Sequence, residues 1–324
     1  MLVTEEILAR LPGKASCASF ARFLRVDPSK ADPRYIYWYL QNLYNSGAMW
    51  RHQVQHTGVA RFQYTRFAET EEIALPPFYT QRAVSDMLCA LDDKIAVNER
   101  IAATAREINE AEFEYVLGQD ETETVLLREI ASKITRGIAP KYSDSDDDLI
   151  VLNQKCIRDG RVNMAPARRT LREKASPVKR LNRHDVLINS TGVGTLGRVA
   201  LWTRTEEATV DTHITIVRFD QDKVDQVCAG FSVLRAQRNI EALGQGSTGQ
   251  TELRRVQLEN LEVSLPTISH RPALRAKLDA LEERGGAAIR ESCTLAELRD
   301  TLLPQLMSGK LRVRDAERIV ESST

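Results

Sequence analysis

The chain has 324 residues, enough for two or three domains that each bury a core. Lys and Arg number 45 and so do Asp and Glu, so contact with nucleic acid would have to come from local patches, not a global field. Five dispersed cysteines with no CxxC pair argue against a disulfide frame or zinc site; the lack of a long apolar run argues against a membrane span, and early Glu5, Glu6 and Arg10 against a signal peptide, so a soluble, cytoplasmic protein is expected.

Asp32-Pro33 predicts a helix start, with Asp as cap and Pro at the first helical position. Ile36, Leu40, Leu43 and Tyr44 form its apolar stripe, and Gly47 is its expected stop. The aromatic run Tyr35, Tyr37, Trp38 and Tyr39 is read as core in preference to a base-stacking platform. Leu75-Pro76-Pro77-Phe78 is similar to the catalytic tetrapeptide of amino-methyltransferases, but Leu75 cannot accept a hydrogen bond where that motif needs an acceptor. It is read instead as a rigid turn before a long helix running from Gln81 to about Leu117.

Much of this returns at a separation of 190 residues. Ile73-Ala74-Leu75-Pro76 recurs as Val263-Ser264-Leu265-Pro266; Ala83, Val84, Leu88, Ala90 and Leu91 recur as Ala273, Leu274, Leu278, Ala280 and Leu281; Ile108 and Val116 match Leu298 and Leu306. Arg25-Val26-Asp27 precedes the first helix as Arg218-Phe219-Asp220 precedes one near Asp225 to Leu243, so each unit is expected to run strand, helix, Gly-rich loop, Leu-Pro turn, long helix. The long helices carry seam spacing: Leu88, Leu91, Ile95 and polar Asn98 on one, Leu278, Leu281, Leu295 and Leu302 on the other. Gly285, Gly286 and Ala288 would permit close approach, and Pro304 should kink the second helix. The shared phase predicts antiparallel packing of the two.

Residues 121 to 265 read as a mixed, strand-rich domain, with apolar runs at Asp148–Leu152, Asp185–Ser190, Gly197–Thr203 and His213–Phe219 separated by turn signals. The acidic stretch Asp144, Asp146, Asp147 and Asp148 is read as a solvated loop, not a metal site, and His213 as a core residue within its strand. Gly192-Val193-Gly194-Thr195-Leu196-Gly197 fits GxGxxG, but Arg198 to Trp202 reads as a strand, whereas a dinucleotide loop must open a helix. A nicotinamide-dependent oxidoreductase is therefore the remote alternative, and a strand–loop–strand offering bare N–H groups and hydroxyls to phosphate or a DNA groove is preferred. From Arg161 to Arg183 eight basic residues (Arg161, Arg168, Arg169, Arg172, Lys174, Lys179, Arg180, Arg183) face one acid, Glu173, and suggest phosphate contact. Gly246-Ser247-Thr248-Gly249-Gln250 is a second candidate contact loop. No nucleophile–base pair, Walker loop or metal-ligand spacing is found.

Three stretches resemble the DNA-specificity subunit of type I restriction–modification systems: Val151-Leu152-Asn153-Gln154-Lys155-Cys156-Ile157-Arg158-Asp159-Gly160-Arg161, Asp185-Val186-Leu187-Ile188-Asn189-Ser190-Thr191-Gly192-Val193-Gly194 and Leu302-Leu303-Pro304-Gln305-Leu306-Met307-Ser308-Gly309-Lys310. The resemblance implies an α+β fold in which strand-rich target-recognition domains are joined to two long antiparallel helices forming a coiled-coil spacer. It divides the chain into 1–80, an incomplete first recognition domain; 81–120, the first helix; 121–265, a complete recognition domain; and 266–324, the second helix and tail. The first unit lacks a counterpart of the Asn153–Arg161 segment. The implied role is to read a half-site of double-stranded DNA and dock two methyltransferase subunits, with restriction (translocase) subunits in the full complex. The chain itself would be non-catalytic, S-adenosylmethionine and ATP belonging to those partners. A partial subunit acting only as an interaction scaffold is the alternative. The residues expected to touch DNA are Lys155, Arg158, Arg161, Ser190, Thr191, Thr195, Arg198, Ser247, Thr248 and Gln250.

Overall fold

The computed structural model describes all residues except 1, 2, 4, 10, 11, 14, 15, 20, 57, 58, 120, 121, 245–251 and 324. After a short helix at Glu5–Ala9, the principal elements begin with helix α1 (Pro33–Asn45), the hairpin β1 (Gln53–His56) and β2 (Val59–Phe62), and the long helix α2 (Phe78–Leu117). Strands β3 (Glu123–Leu126), β4 (Ala131–Arg136), β5 (Tyr142–Ser143) and β6 (Leu149–Leu152) come next, then the short hairpin β7 (Ile157–Arg158) and β8 (Arg161–Val162) and strand β9 (Arg168–Thr170). After these are β10 (Val186–Asn189), β11 (Val199–Leu201), β12 (Ala208–Val210) and β13 (Ile214–Phe219), helices α3 (Gln226–Arg235) and α4 (Gln237–Leu243), and β14 (Glu262–Leu265). The long helix α5 (Arg271–Met307) and helix α6 (Val313–Ser323) complete the α+β fold. Two compact units result, residues 1–100 with 288–324, and residues 101–287.

In the second unit one sheet has the order β11-β10-β13-β4, every neighbour antiparallel, and another the order β12-β6-β9-β5. The first is buried on both faces. Val186, Ile188, Val199, Leu201, Val217 and Phe219 pack with the α3 residues Val227, Cys228 and Phe231, while the alternate residues Leu187, Ala200, Ile214 and Ile216 join Leu152, Ala208, Val210 and Trp202. Successive side chains of a strand point to opposite faces, so a sheet covered on both sides needs apolar residues at consecutive positions, as at Val186–Ile188 of β10, Val199–Leu201 of β11 and Ile216–Val217 of β13. The four apolar runs read from the sequence are four strands.

In the first unit Asp32 caps α1, its Oδ1 accepting from the backbone N of Arg34 and Tyr35 at 2.8 and 3.1 Å. Gly47, at φ +75°, supplies the left-handed conformation that ends the helix. Tyr35, Ile36 and Trp38 are the buried face, so two of the four aromatics are core, while Tyr37 and Tyr39 are half-buried; Tyr44, expected in the apolar stripe, is instead 66% exposed. Residues 21–27 form no strand, and a hairpin, β1–β2, stands where a Gly-rich loop was expected.

The repeat is visible atom by atom within each unit. Asp225 caps α3 as Asp32 caps α1, accepting from the backbone N of Val227 and Cys228 at 3.0 Å each. Gln81 Nε2 donates to the carbonyl of Pro76 at 2.7 Å, and Arg271 Nε to that of Pro266 at 2.8 Å. One turn on, Ser85 Oγ reaches the Asp32 carboxylate at 3.4 Å and Arg275 Nη1 that of Asp225 at 3.1 Å.

Antiparallel pairing of the long helices is explicit in both units. In the first, Ser292 Oγ donates to Ile95 O at 3.5 Å, Asn98 Nδ2 to Glu291 Oε2 at 2.8 Å, and Arg299 pairs with Asp92. In the second, Asn109 Nδ2 donates to Glu282 Oε1 at 3.0 Å and Lys277 pairs with Glu112 at 2.9 Å. Each advance along α2 thus meets a retreat along α5. Leu88, Leu91, Asn98, Leu278, Leu295 and Leu302 are buried, Ile95 and Leu281 half-buried. Four-three spacing holds on α2 as far as Asn109 and then gives way to Phe113 and Leu117, so Ile108, matched to Leu298 by the repeat, lies exposed. Helix α5 runs without interruption through Pro304 and ends one turn later, at Met307.

Candidate nucleic-acid interface

Strand register decides what the β11-β10-β13-β4 sheet brings together at one end. Asn189 opposes Ile214, Ile188 opposes Val199, and Thr215 opposes Arg136, so the end of β10, the starts of β11 and β13 and the end of β4 coincide. The loop 190–198, the turn 211–213 and Arg136 therefore share that end.

The glycine loop joins two antiparallel strands, which removes the dinucleotide reading because no helix follows the glycines. It is tightly held. Leu196 N donates to Gly192 O at 3.0 Å and Gly197 N to Asn189 O at 2.8 Å. Asn189 Nδ2, wholly buried, donates to the carbonyls of Gln154 at 2.9 Å and Thr195 at 3.1 Å, fastening the loop to the 3-10 turn Gln154–Cys156. Gly192 adopts φ +107°, and a Cβ there would come within 2.3 Å of Gln154 Oε1 and 2.5 Å of Thr195 Oγ1. Only glycine fits.

Asn189 thus ties the glycine loop, which carries Thr191, Thr195 and Arg198, to the 3-10 turn on which Lys155 is exposed. Thr191 Oγ1 lies 2.7 Å from His213 Nδ1, and Arg198 Nη2 donates to Gly194 O at 2.8 Å. His213 is an exposed turn residue just before β13, not the core strand residue expected, because the strand begins only at Ile214. Arg136 was not singled out in the sequence, which offers no periodic signal for it; it pairs with Glu252 at 2.7 Å and donates to Leu253 O at 2.7 Å. Thr191 and Glu252 form a β-bridge, so the chain beyond residue 251 is tied to the same end.

Several expected contact residues are placed otherwise. Ser190 is fully buried and its hydroxyl lies 2.5 Å from Thr215 Oγ1, since it still belongs to the sheet interior. Arg161 turns toward the long helices and pairs with Glu282 at 3.9 Å; burial draws its guanidinium below the usual value, Glu282 opposing. Arg158 is exposed beside Asp159 at 3.5 Å. Ser247, Thr248 and Gln250 lie outside the described residues.

The basic stretch is largely engaged by the protein itself. Arg168 stacks 3.5 Å from the Tyr142 ring centroid, Arg169 donates to Asp148 O at 2.8 Å, Arg172 and Arg180 share Glu207, and Arg183 lies 3.8 Å from Glu283. Lys179 donates to Thr135 Oγ1 at 2.6 Å. The acidic stretch serves as acceptor for these arginines through its carbonyls, so the charge excess read from the sequence is mostly internal. Among the described residues no group of three His, Cys, Asp or Glu is placed to hold a metal, and no helix is long and apolar enough to cross a membrane.

No family model and no curated protein matches the sequence. Solved structures do match the fold. The S subunit of a type I restriction–modification system from M. genitalium aligns with a TM-score of 0.59 at 15% identity, over 87% of this chain and 74% of that one. The HsdS subunit from Thermoanaerobacter tengcongensis aligns at 0.39 with 17% identity, over 87% and 71% of the two chains. A chain from a structure of type I restriction–modification assembly and conformational transition aligns at 0.41 with 16% identity, over 89% and 74%. The first of these establishes a shared fold: this chain is built as that S subunit is.

Proposed function

We propose that this chain is the DNA-specificity subunit of a type I restriction–modification complex and reads one half-site of duplex DNA through residues 121–265. The observation that carries the reading is the placement of Thr191, Thr195 and Arg198 at one end of a sheet, on a glycine loop locked to the turn that carries Lys155. A surface that reads DNA needs cations for phosphate, which give affinity without sequence preference, and rigid polar groups for base edges. Lys155 and Arg198 supply the first, Thr191, Thr195 and His213 the second.

The helix pair α2–α5 is the docking platform for two methyltransferase subunits, with restriction subunits joining them in the full complex. The chain performs no reaction; S-adenosylmethionine and ATP belong to those partners, and the assembly works in the cytoplasm on double-stranded DNA. Co-expression with a type I methyltransferase subunit, followed by mapping of methylated bases in the host genome, tests the reading. A bipartite or half-site motif that appears only with this chain is the expected result. Stable co-purification without any motif-specific mark would leave only the scaffold role.

A further inference from the structure

The apex of the glycine loop is apolar. Val193 is 94% exposed, more than any other large hydrophobic residue described, and it stands between Gly192 and Gly194, both at positive φ (+107° and +72°). Single exposed apolar side chains are common and by themselves mean nothing. What distinguishes this one is its pedestal: Gly192 O accepts from Thr195 N and Leu196 N at 3.2 and 3.0 Å, and Arg198 Nη2 closes the other side on Gly194 O at 2.8 Å. A β-branched side chain has restricted χ1, so two methyl groups are presented in a nearly fixed direction at little cost in entropy.

We infer that Val193 is a specificity-determining residue that packs against the C5-methyl group of a thymine in the major groove. The inference rests on the DNA-reading function proposed above. Its surroundings fit that partner: Arg198 Nη2 on Gly194 O sets a guanidinium beside the apex, and Thr195 Oγ1, 3.4 Å from Gly192 O, sets a hydroxyl there, so the valine stands among polar and cationic groups. In the major groove the thymine methyl is the one apolar feature that a base pair offers, and apolar side chains read it by contact.

The test uses the full chain assembled with its methyltransferase subunits and duplexes carrying the mapped recognition motif. Each thymine is replaced in turn by deoxyuridine, which removes only the methyl group. The wild-type complex should lose about fourfold in affinity at one thymine, the worth of one buried methyl. Val193→Ala should bind the unmodified site less tightly and show no further loss at that deoxyuridine, while Val193→Ile should retain the sensitivity. Thermal unfolding of each variant alone should be unchanged, because the side chain is almost wholly exposed. Specific binding with a deoxyuridine profile that Val193→Ala leaves intact would overturn the inference and spare the DNA-reading function. Equal sensitivity at no position, with DNA bending lost in Val193→Ala, would overturn it in favour of a wedge between base steps. Absence of any motif-specific binding by the wild-type complex would overturn both.

Discussion

The second compact unit is pinned at the end of its central sheet opposite the glycine loop by Asp185 and Arg218. Asp185 is 1% exposed; its Oδ1 accepts from Arg218 Nε at 2.8 Å and its Oδ2 from Arg218 Nη2 at 2.6 Å and from the backbone N of Asn182 at 2.7 Å. Arg218 Nη2 also donates to Arg180 O at 2.7 Å. Substituting Arg218 by Met removes two of the three donors to the carboxylate and the cation paired with it, while the methionine roughly fills the space. Leaving a buried charge unpaired in this way costs ~3–5 kcal/mol. For a body of this size each kcal/mol moves the midpoint by ~2–4 °C, so thermal unfolding should drop by roughly 10 °C. Burial already holds the Asp185 carboxyl above its ordinary value of 3.8, and loss of its counter-ion raises it further. Between those values the folded variant keeps a proton that the unfolded chain has released, so its stability rises as pH falls through that window and declines as pH rises. The deficit against wild type is therefore greatest at neutral pH and narrows on acidification. The double variant Asp185→Asn with Arg218→Met should recover part of the loss, since no charge is then stranded. Urea unfolding at several pH values measures all of this. A deficit below about 1 kcal/mol, the worth of an exposed pair, or one independent of pH, would refute the reasoning.

Gly192→Ala should weaken specific DNA binding and cost ~1–3 kcal/mol of stability, since both a positive φ and the Gln154 side chain oppose a Cβ; differential scanning calorimetry and a binding isotherm check it. Lys155→Ala should weaken binding to all sequences alike and lower the salt slope by about one, read from titrations across salt concentrations. Arg198→Ala should cost ~1–3 kcal/mol in specific binding and relax the motif at one position if it meets a base, as methylation mapping would reveal. Leu278→Ala, at a fully buried seam position, should cost ~3–5 kcal/mol, and Leu295→Asp should abolish co-purification with methyltransferase subunits by burying a charge.

Periodicity and local chemistry made much of the architecture readable in advance. Asp32-Pro33 and Asp225 announced helix starts because a carboxylate satisfies free N–H groups only at that place. Leu-Pro turns and seam spacing announced the long helices, and runs with β-branched content announced β6, β10, β11 and β13, since these patterns reflect contacts a few residues apart. Other features depend on neighbours distant in the chain. Whether Arg161 faces solvent or Glu282 is set by a helix more than a hundred residues away. Ser190 and His213 exchange expected roles because the register of β10 on β13 buries one and leaves the other in a turn. The basic stretch looked free because its acceptors, Glu207, Glu283 and backbone carbonyls, lie outside the stretch itself.

What the sequence by itself determined is thus the two long helices, the capped helix starts, the four apolar strands and the strand–loop–strand at the glycines: each depends on short-range sterics, capping and hydrophobic period, which are properties of contiguous residues. What only the tertiary structure decided is which side chains are left for a partner. That choice belongs to strand register and to long-range ion pairing, which bury Ser190 in the sheet and turn Arg161 toward Glu282 while leaving His213 exposed in a turn.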